Sequence, residues 1–304
     1  MNAFLALLAI AVGLQQTTPT PLFRSVTRRV YVDVFVSKNG RPVDGLTADD
    51  FVVSDNGRVL DRISLLAGAD RALSVVLLVD TSTSVRGEKL SRLQSAARTF
   101  IERLSERDEI AVMGIGTRFQ LLAPMSSDKS KARFAIDRLQ PRGATALGDA
   151  LHAATILAES GSGRPLVLAF TDGDDNSSWL PLSDVLVTAE SSPAVIFAVR
   201  VGSGAGLTLA DTESGESRFI EAPSEAAARE TLEDIARAGG GRLLTLRPSQ
   251  SLAASFVAVL DAMRRRYIIV FEPTASGAGW HPLDVVVTGE GEYEVRARLG
   301  YYAR

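Results

Sequence analysis

Leu73 to Ser84 reads LSVVLLVDTSTS, and its change of character at Asp80 decides the fold. From Leu73 to Val79 the run is apolar except for Ser74. A run this short and rich in valine and leucine is a strand, and the lack of alternation means that both faces are covered. Asp80-Thr81-Ser82-Thr83-Ser84 then breaks the run with oxygen-bearing side chains. A helical stripe follows from about Glu88 to Leu104, with Leu90, Leu93, Ala97, Phe100, Ile101 and Leu104 on one face. A buried strand leading through a polar loop into an amphipathic helix is one unit of a wound α/β sheet.

The same grammar repeats downstream. Strands are expected at Ile110 to Ile115, Phe119 to Leu122, Leu166 to Phe170, Ala194 to Val201 and Leu243 to Leu246. Helices are expected near 128–139, 145–159, 182–191, 224–238 and 249–265, with Ser224 available as a cap and Gly239-Gly240-Gly241 as a stop. Strands alternating with helices predict a doubly wound, mostly parallel sheet, and such sheets bind ligands beyond the carboxyl ends of their strands.

The flanks read differently. Val30, Val32, Val34 and Val36 alternate with Tyr31, Asp33 and Phe35, Asn39-Gly40 and Asn56-Gly57 are turn signals, and Phe51 to Ser54 and Val59 to Leu66 are strand-like. Beyond the last helix, Tyr267 to Phe271, Leu283 to Val287 and Tyr293 to Leu299 return to β pattern. Neither flank closes a core alone. The expected organisation is therefore a signal peptide and polar linker over 1–22, a β segment over 23–70, the α/β domain over 71–265, and a β segment over 266–304. The two β segments pair as a small β-sandwich-like domain, into which the α/β domain is inserted.

Composition excludes several classes. The 304 residues include no cysteine, so disulfides, thiolate metal sites and cysteine nucleophiles are out. The 33 basic and 36 acidic residues are well mixed, leaving no nucleic-acid footprint. Arg264 to Arg266 form the densest basic cluster and read as cations at a helix end. The run FLALLAIAVGL over Phe4 to Leu14, followed by QQTTPTP, fits the apolar core of a signal peptide and is too short for a comfortable transmembrane span. Export to the periplasm or outside the cell is the expectation. His152 and His281 are the 2 histidines, and each reads as a surface or packing residue. No Walker loop or G-x-S-x-G elbow is present, and position 82 holds serine where strand-end phosphoryl-transfer sites want a second carboxylate.

Asp80, Ser82 and Ser84 occupy alternate positions in a strand-to-helix loop. One carboxylate and two hydroxyls make an oxygen set suited to Mg²⁺, Mn²⁺ or Ca²⁺. The same hydroxyls could instead cap the following helix. Two further stretches lie in matching places: Gly143-Ala144-Thr145 opens the helix expected over 145–159, and Thr171-Asp172-Gly173 follows the strand ending at Phe170. Together, Asp80, Ser82, Ser84, Thr145 and Asp172 resemble the metal ion-dependent adhesion site of von Willebrand factor type A domains. The resemblance implies that the serines and the threonine ligate a divalent cation directly or nearly so, and that the aspartates act largely through bound water. It also implies a coordination position left open for an Asp or Glu of a partner protein, and no catalysis. The flanks are similar to a bacterial exported subgroup of that family, through Asn39-Gly40-Arg41-Pro42, Asp49-Asp50-Phe51 and Arg298-Leu299-Gly300-Tyr301-Tyr302.

Alternatives remain at this level. The metal could serve only to order the loops of a scaffold, or a metal-dependent phosphoesterase could use the same ligands. Asp174 and Asp175 read as a solvated turn. The polar stretch 202–223 leaves the metal-bearing edge and either shapes partner choice or is a surface excursion.

Overall fold

The computed structural model describes residues 29–171, 175–201, 208–209, 219–220, 223–247, 249–273 and 278–303. The described residues open with β1 (Val30–Lys38), β2 (Arg41–Pro42), β3 (Phe51–Asp55), β4 (Arg58–Val59) and β5 (Ser64–Ala67). The α/β series follows: β6 (Leu73–Asp80), α1 (Glu88–Arg103), β7 (Glu109–Ile115), β8 (Gln120–Ser126), α2 (Lys129–Asp137), α3 (Leu147–Glu159), β9 (Arg164–Thr171), α4 (Leu182–Ser191) and β10 (Val195–Val201). It continues through β11 (Thr208–Leu209), β12 (Phe219–Ile220), α5 (Pro223–Ala238), β13 (Arg242–Leu246) and α6 (Leu252–Arg264). The chain closes on β14 (Tyr267–Phe271), β15 (Gly279–Val287), β16 (Glu294–Arg296) and β17 (Gly300–Ala303).

The central sheet has the order β13-β10-β9-β6-β7-β8, parallel throughout except for the antiparallel edge strand β8. Every residue of β6 is buried, and the strand divides its side chains between two cores. Leu73, Val75, Leu77 and Val79 face α1, α2 and α6, where Phe256 meets Phe100 and Phe170 edge-on at 6.1 and 6.4 Å. Val76 and Leu78 face α3, α4 and α5. Ser74, the polar exception, is satisfied: its hydroxyl donates to Glu109 at 3.1 Å and accepts from the Gly163 amide at 2.8 Å. A polar group can sit there because both partners lie at the amino-terminal end of the sheet.

The flanking segments build two antiparallel sheets, ordered β16-β1-β14-β5 (with β2 on β1) and β17-β15-β3-β4. Val30, Val32, Val34 and Val36 of β1 enclose one core with Phe51, Val53, Ile269, Phe271, Val287 and Tyr301. The α/β domain is thus inserted within a sandwich made from both ends of the chain. Its entry and exit strands, β5 and β14, pair antiparallel, and the Gly68 amide donates to the Arg266 carbonyl at 3.0 Å. Entry and exit lie beside the amino-terminal ends of β6 and β9, so the carboxyl ends of the parallel strands point away from the sandwich.

Three readings are corrected here, and the choice left open for His281 is decided. The stretch Val59 to Leu66 is two strands: Asn56 (φ 53) and Gly57 (φ 79) form the expected hairpin turn, but β4 stops after Val59 and the chain crosses to the other sheet as β5. Strand β8 is longer than Phe119 to Leu122, because its antiparallel pairing with β7 extends to Ser126 through an irregular register. Helix α5 begins at Pro223, which puts Ser224 in its first turn instead of at its cap. His281 is buried (4% exposed), with its Nδ1 3.2 Å from Asp55, and Tyr301 donates to the same carboxylate at 3.0 Å. Burial, with that hydrogen bond, pushes the Tyr301 phenol above its usual range, so it remains a donor tying β17 to β3.

Arg264 to Arg266 do more than complement a helix end. Arg264 pairs with the buried Asp108, Arg265 reaches Asp44 at 2.5 Å, and Arg266 enters the joint between sandwich and α/β domain. There Arg266 donates to the carbonyls of Asp33 (3.1 Å) and Gly240 (2.5 Å), while Arg164 pairs with the Asp33 carboxylate and donates to the carbonyls of Gly68 and Met263 at 2.9 and 3.1 Å. Burial pulls the Arg266 guanidinium below the ordinary arginine range, with Asp33 opposing that shift. Removing one partner of a buried ion pair strands the other charge, so Asp33→Ala is expected to cost about 3–5 kcal/mol in urea denaturation. A loss under about 1 kcal/mol would mean that apolar packing, not this pair, holds the joint.

Candidate metal centre

Strand β6 ends in Asp80, and its carboxylate is completely buried. One oxygen accepts the Ser82 amide at 2.8 Å and the other accepts the Thr171 hydroxyl, from the end of β9, at 2.9 Å. Asp80 therefore turns its own loop and joins two adjacent strand ends. Ser82 and Ser84 follow with hydroxyls 2.7 Å apart. Two oxygens in neighbouring positions of an octahedral ion with ~2.1 Å bonds stand about 3 Å apart, close to this spacing.

The N-cap of helix α1 is Gly87 (φ 65), so the cap position is not one of the hydroxyl residues of the 80–84 loop.

Thr145 lies just before α3 and is 3% exposed, as is Ser82. Its backbone is clamped on both sides by Asn176, whose Oδ1 accepts the Thr145 amide at 2.9 Å and whose amide donates to the Thr145 carbonyl at 3.0 Å. Among the described residues nothing hydrogen-bonds its hydroxyl. Asp175 and Ser178 accept the first free amides of α3, those of Gly148 at 2.9 Å and Asp149 at 3.2 Å. The Asp149 carboxylate in return accepts the amides of Trp179 and Leu180 at 3.2 and 2.9 Å. Two carboxylates at a helix N-terminus also complement its dipole. Asp175 is thus a half-buried cap, not the solvated turn residue expected. Asp172 and Asp174 lie outside the described residues, as do 1–28 and most of 202–223.

The loops are sewn to each other as well. The Thr83 amide donates to the Gly143 carbonyl at 3.1 Å, the Arg142 amide to the Thr81 carbonyl at 2.6 Å, and the Ala146 amide to the Gly116 carbonyl at 2.8 Å. Gly143 has φ +81, and a Cβ there would stand 2.3 Å from the Thr117 hydroxyl, so this approach requires glycine. Sequence reasoning missed Thr171, Asp175, Asn176 and Asp149. The clustered Asp and Asn after a strand end were the available signal, but their partners lie about thirty residues upstream.

The donors fit a hard divalent cation: one carboxylate and hydroxyls, with no cluster of three His, Cys, Asp or Glu among the described residues. Trp179, whose amide is held by Asp149 of α3, is 91% exposed.

A mostly parallel sheet with helices on both faces and oxygen side chains gathered at its carboxyl edge is the architecture of an α/β ligand-binding domain. Residues 75–174 match the family model for the von Willebrand factor type A domain. Such domains are generally interaction modules rather than enzymes. Among curated proteins, the chain is 30% identical over 177 residues to the uncharacterized protein YfbK of Escherichia coli (strain K12), covering 54% of this chain and 29% of that protein. It is 28% identical over 179 residues to the uncharacterized protein sll0103 of Synechocystis, covering 54% of this chain and 43% of that one. The chain thus spans less than half the length of these relatives. Proximal thread matrix protein 1 from the mussel byssus, in a structure with a zinc occupied MIDAS motif, shares the fold with TM-score 0.50 and 17% identity, over 69% of this chain and 50% of that one. Among the described residues no helix is long and apolar enough to cross a membrane.

The clamp on Thr145 has a measurable consequence. Asn176→Ala and Asp175→Ala are expected to weaken divalent-metal affinity by roughly 10- to 100-fold, as loss of groups that orient ligands does. Calorimetric titration checks this, and unchanged affinity in both variants would show that α3 and its threonine hold position without them.

Proposed function

We propose that Asp80, Ser82, Ser84 and Thr145, with Asp172, hold a divalent cation, Mg²⁺ first and Mn²⁺ or Ca²⁺ as alternatives, and that this site captures an Asp or Glu side chain of a partner protein. The observation that carries the reading is the Ser82–Ser84 hydroxyl pair, 2.7 Å apart beside the buried Asp80, with Gly87 and neither serine at the N-cap of α1. A bound cation would supply electrophilic attraction for a carboxylate, and a first shell rich in neutral hydroxyls leaves that attraction largely unspent. Asp80 orients the serine loop, Thr171 orients Asp80, and Asn176 orients Thr145. The exposed Trp179 offers an apolar anchor beside the charge.

The scaffold reading is weaker for a physical reason. The loops are already joined by direct hydrogen bonds among Thr81, Thr83, Arg142, Gly143, Thr145 and Asn176, so ordering them does not require a cation. That favours partner binding over loop ordering as the use of such a site. The apolar run Phe4 to Leu14 supports an exported protein, periplasmic or secreted, with the α/β domain over 71–265 as its binding unit.

Calorimetry with Mg²⁺, Mn²⁺ and Ca²⁺ on the full chain is expected to show one site, lost in Asp80→Ala and in Thr145→Ala with the fold retained by circular dichroism. Zn²⁺, the ion named for the mussel protein, belongs in the same titration as the contrast to an all-oxygen preference. Binding that survives both substitutions would place the metal elsewhere. Partner capture that is equal with and without chelator would return the protein to the scaffold class.

A further inference from the structure

One flank of the metal loop opens into a groove that the proposed function leaves unused. It runs along the edge strand β8 in two adjoining stretches of about 470 and 250 Å³, both bordered by Thr81, Gln120, Leu122 and Arg142. Thr81 directly follows Asp80 and receives the Arg142 amide on its carbonyl, so the groove begins at the candidate metal site itself.

The lining has a definite chemistry. Arg118, Arg138 and Arg142 line it, all exposed, and among the described residues no acidic one does. Among the described residues, none of the three arginines makes an ion pair. Elsewhere in the chain arginines do find carboxylates, as Arg98 finds Asp137 at 2.7 Å and Arg265 finds Asp44 at 2.5 Å. Apolar surface lies between the cations: Phe119 is 46% and Phe134 58% exposed, and the Arg138 guanidinium stands 4.1 Å over the Phe134 ring. That stacking holds the cation in a fixed place without neutralising it. Three unneutralised arginines over exposed aromatic rings, in a chain whose net charge is −3, make a local field opposite to that of the molecule.

We infer that this groove seats an extended, acidic segment of the partner protein, continuous with the carboxylate held at the metal. The inference rests on the metal-dependent reading above and adds to it a partner chemistry: further Asp or Glu residues on one side of the metal-bound acid, with apolar residues between them. Arg118 and Arg142 flank the entry, and Arg138 with Phe134 receives the distal part. Complementary charge of this kind chiefly raises the association rate and sets the direction in which the segment lies.

The test uses the full chain and labelled synthetic peptides in Mn²⁺, read by fluorescence polarisation. One peptide carries a single Glu among glycines, and the other carries the same Glu followed by Asp-Leu-Glu-Asp. The acidic peptide is expected to bind roughly tenfold tighter or more, with a steep salt dependence. The double variant Arg118→Ser, Arg142→Ser is expected to abolish that difference while its calorimetric Mn²⁺ binding and circular dichroism stay unchanged. Equal affinity for the two peptides in the metal-bound wild type, or a difference that survives the double variant, overturns the inference. So does heparin competing as well as the acidic peptide together with indifference to peptide sequence order, which would mark a generic polyanion surface. Failure of the metal reading is separately visible: no Mn²⁺ binding, but arginine-dependent capture of the acidic peptide in chelator, would sustain the groove and remove the cation.

Discussion

The buried strand β6 is the constraint on which the rest depends. Its side chains alternate between two apolar cores, so a charged group has no place along it until the strand runs out. Asp80 stands at that end, fully buried, and its carboxylate is tolerable there because the Ser82 amide and the Thr171 hydroxyl satisfy it. The same contacts bend the chain away from the sheet and lay Ser82 beside Ser84. Core packing and site geometry are consequences of one event: an apolar strand ending in a carboxylate with two local donors.

Rigidity on the second side of the site comes from reciprocity. Asp175 and Ser178 occupy the open amides at the start of α3, and Asp149 of that helix holds the amides of Trp179 and Leu180. Neither loop nor helix end can shift without breaking bonds in both. Thr145 sits at the centre of this lattice, positioned through its backbone, and among the described residues nothing hydrogen-bonds its hydroxyl. A site whose main chain is held on both sides in this way is preorganised for a ligand.

The sandwich solves a different problem. The entry and exit strands β5 and β14 are zipped together, and Asp33, Arg164 and Arg266 lock the sandwich to the amino-terminal end of the parallel strands. The opposite end, with its candidate oxygen ligands, exposed Trp179 and arginine-lined groove, is thereby left uncovered by the chain's own second domain. Holding the module by its base keeps the face that carries the candidate site available.

Much of this was legible in the sequence, and the reason is periodicity. The uninterrupted run of β6, the stripes of α1 and α6, and the alternating valines of β1 each record locally which face will be covered. Asp80, Ser82 and Ser84 were visible as candidates because their spacing lies within one loop. What periodicity cannot carry is which distant segment supplies the partner. The split of Val59 to Leu66 into two sheets follows from β5 pairing with β14, some two hundred residues away. The roles of Thr171, Asp175 and Asn176 depend on β9 lying beside β6 and on the following loop folding over α3. His281 read as either a surface or a packing residue, and only the sandwich decided for burial, beside Asp55 and Tyr301. The sequence by itself determined which residues are buried and where oxygen ligands cluster, because burial is written in local pattern. Only the tertiary structure decided which donors hold those ligands still and which arginines stay unpaired, because those are contacts between strangers in sequence.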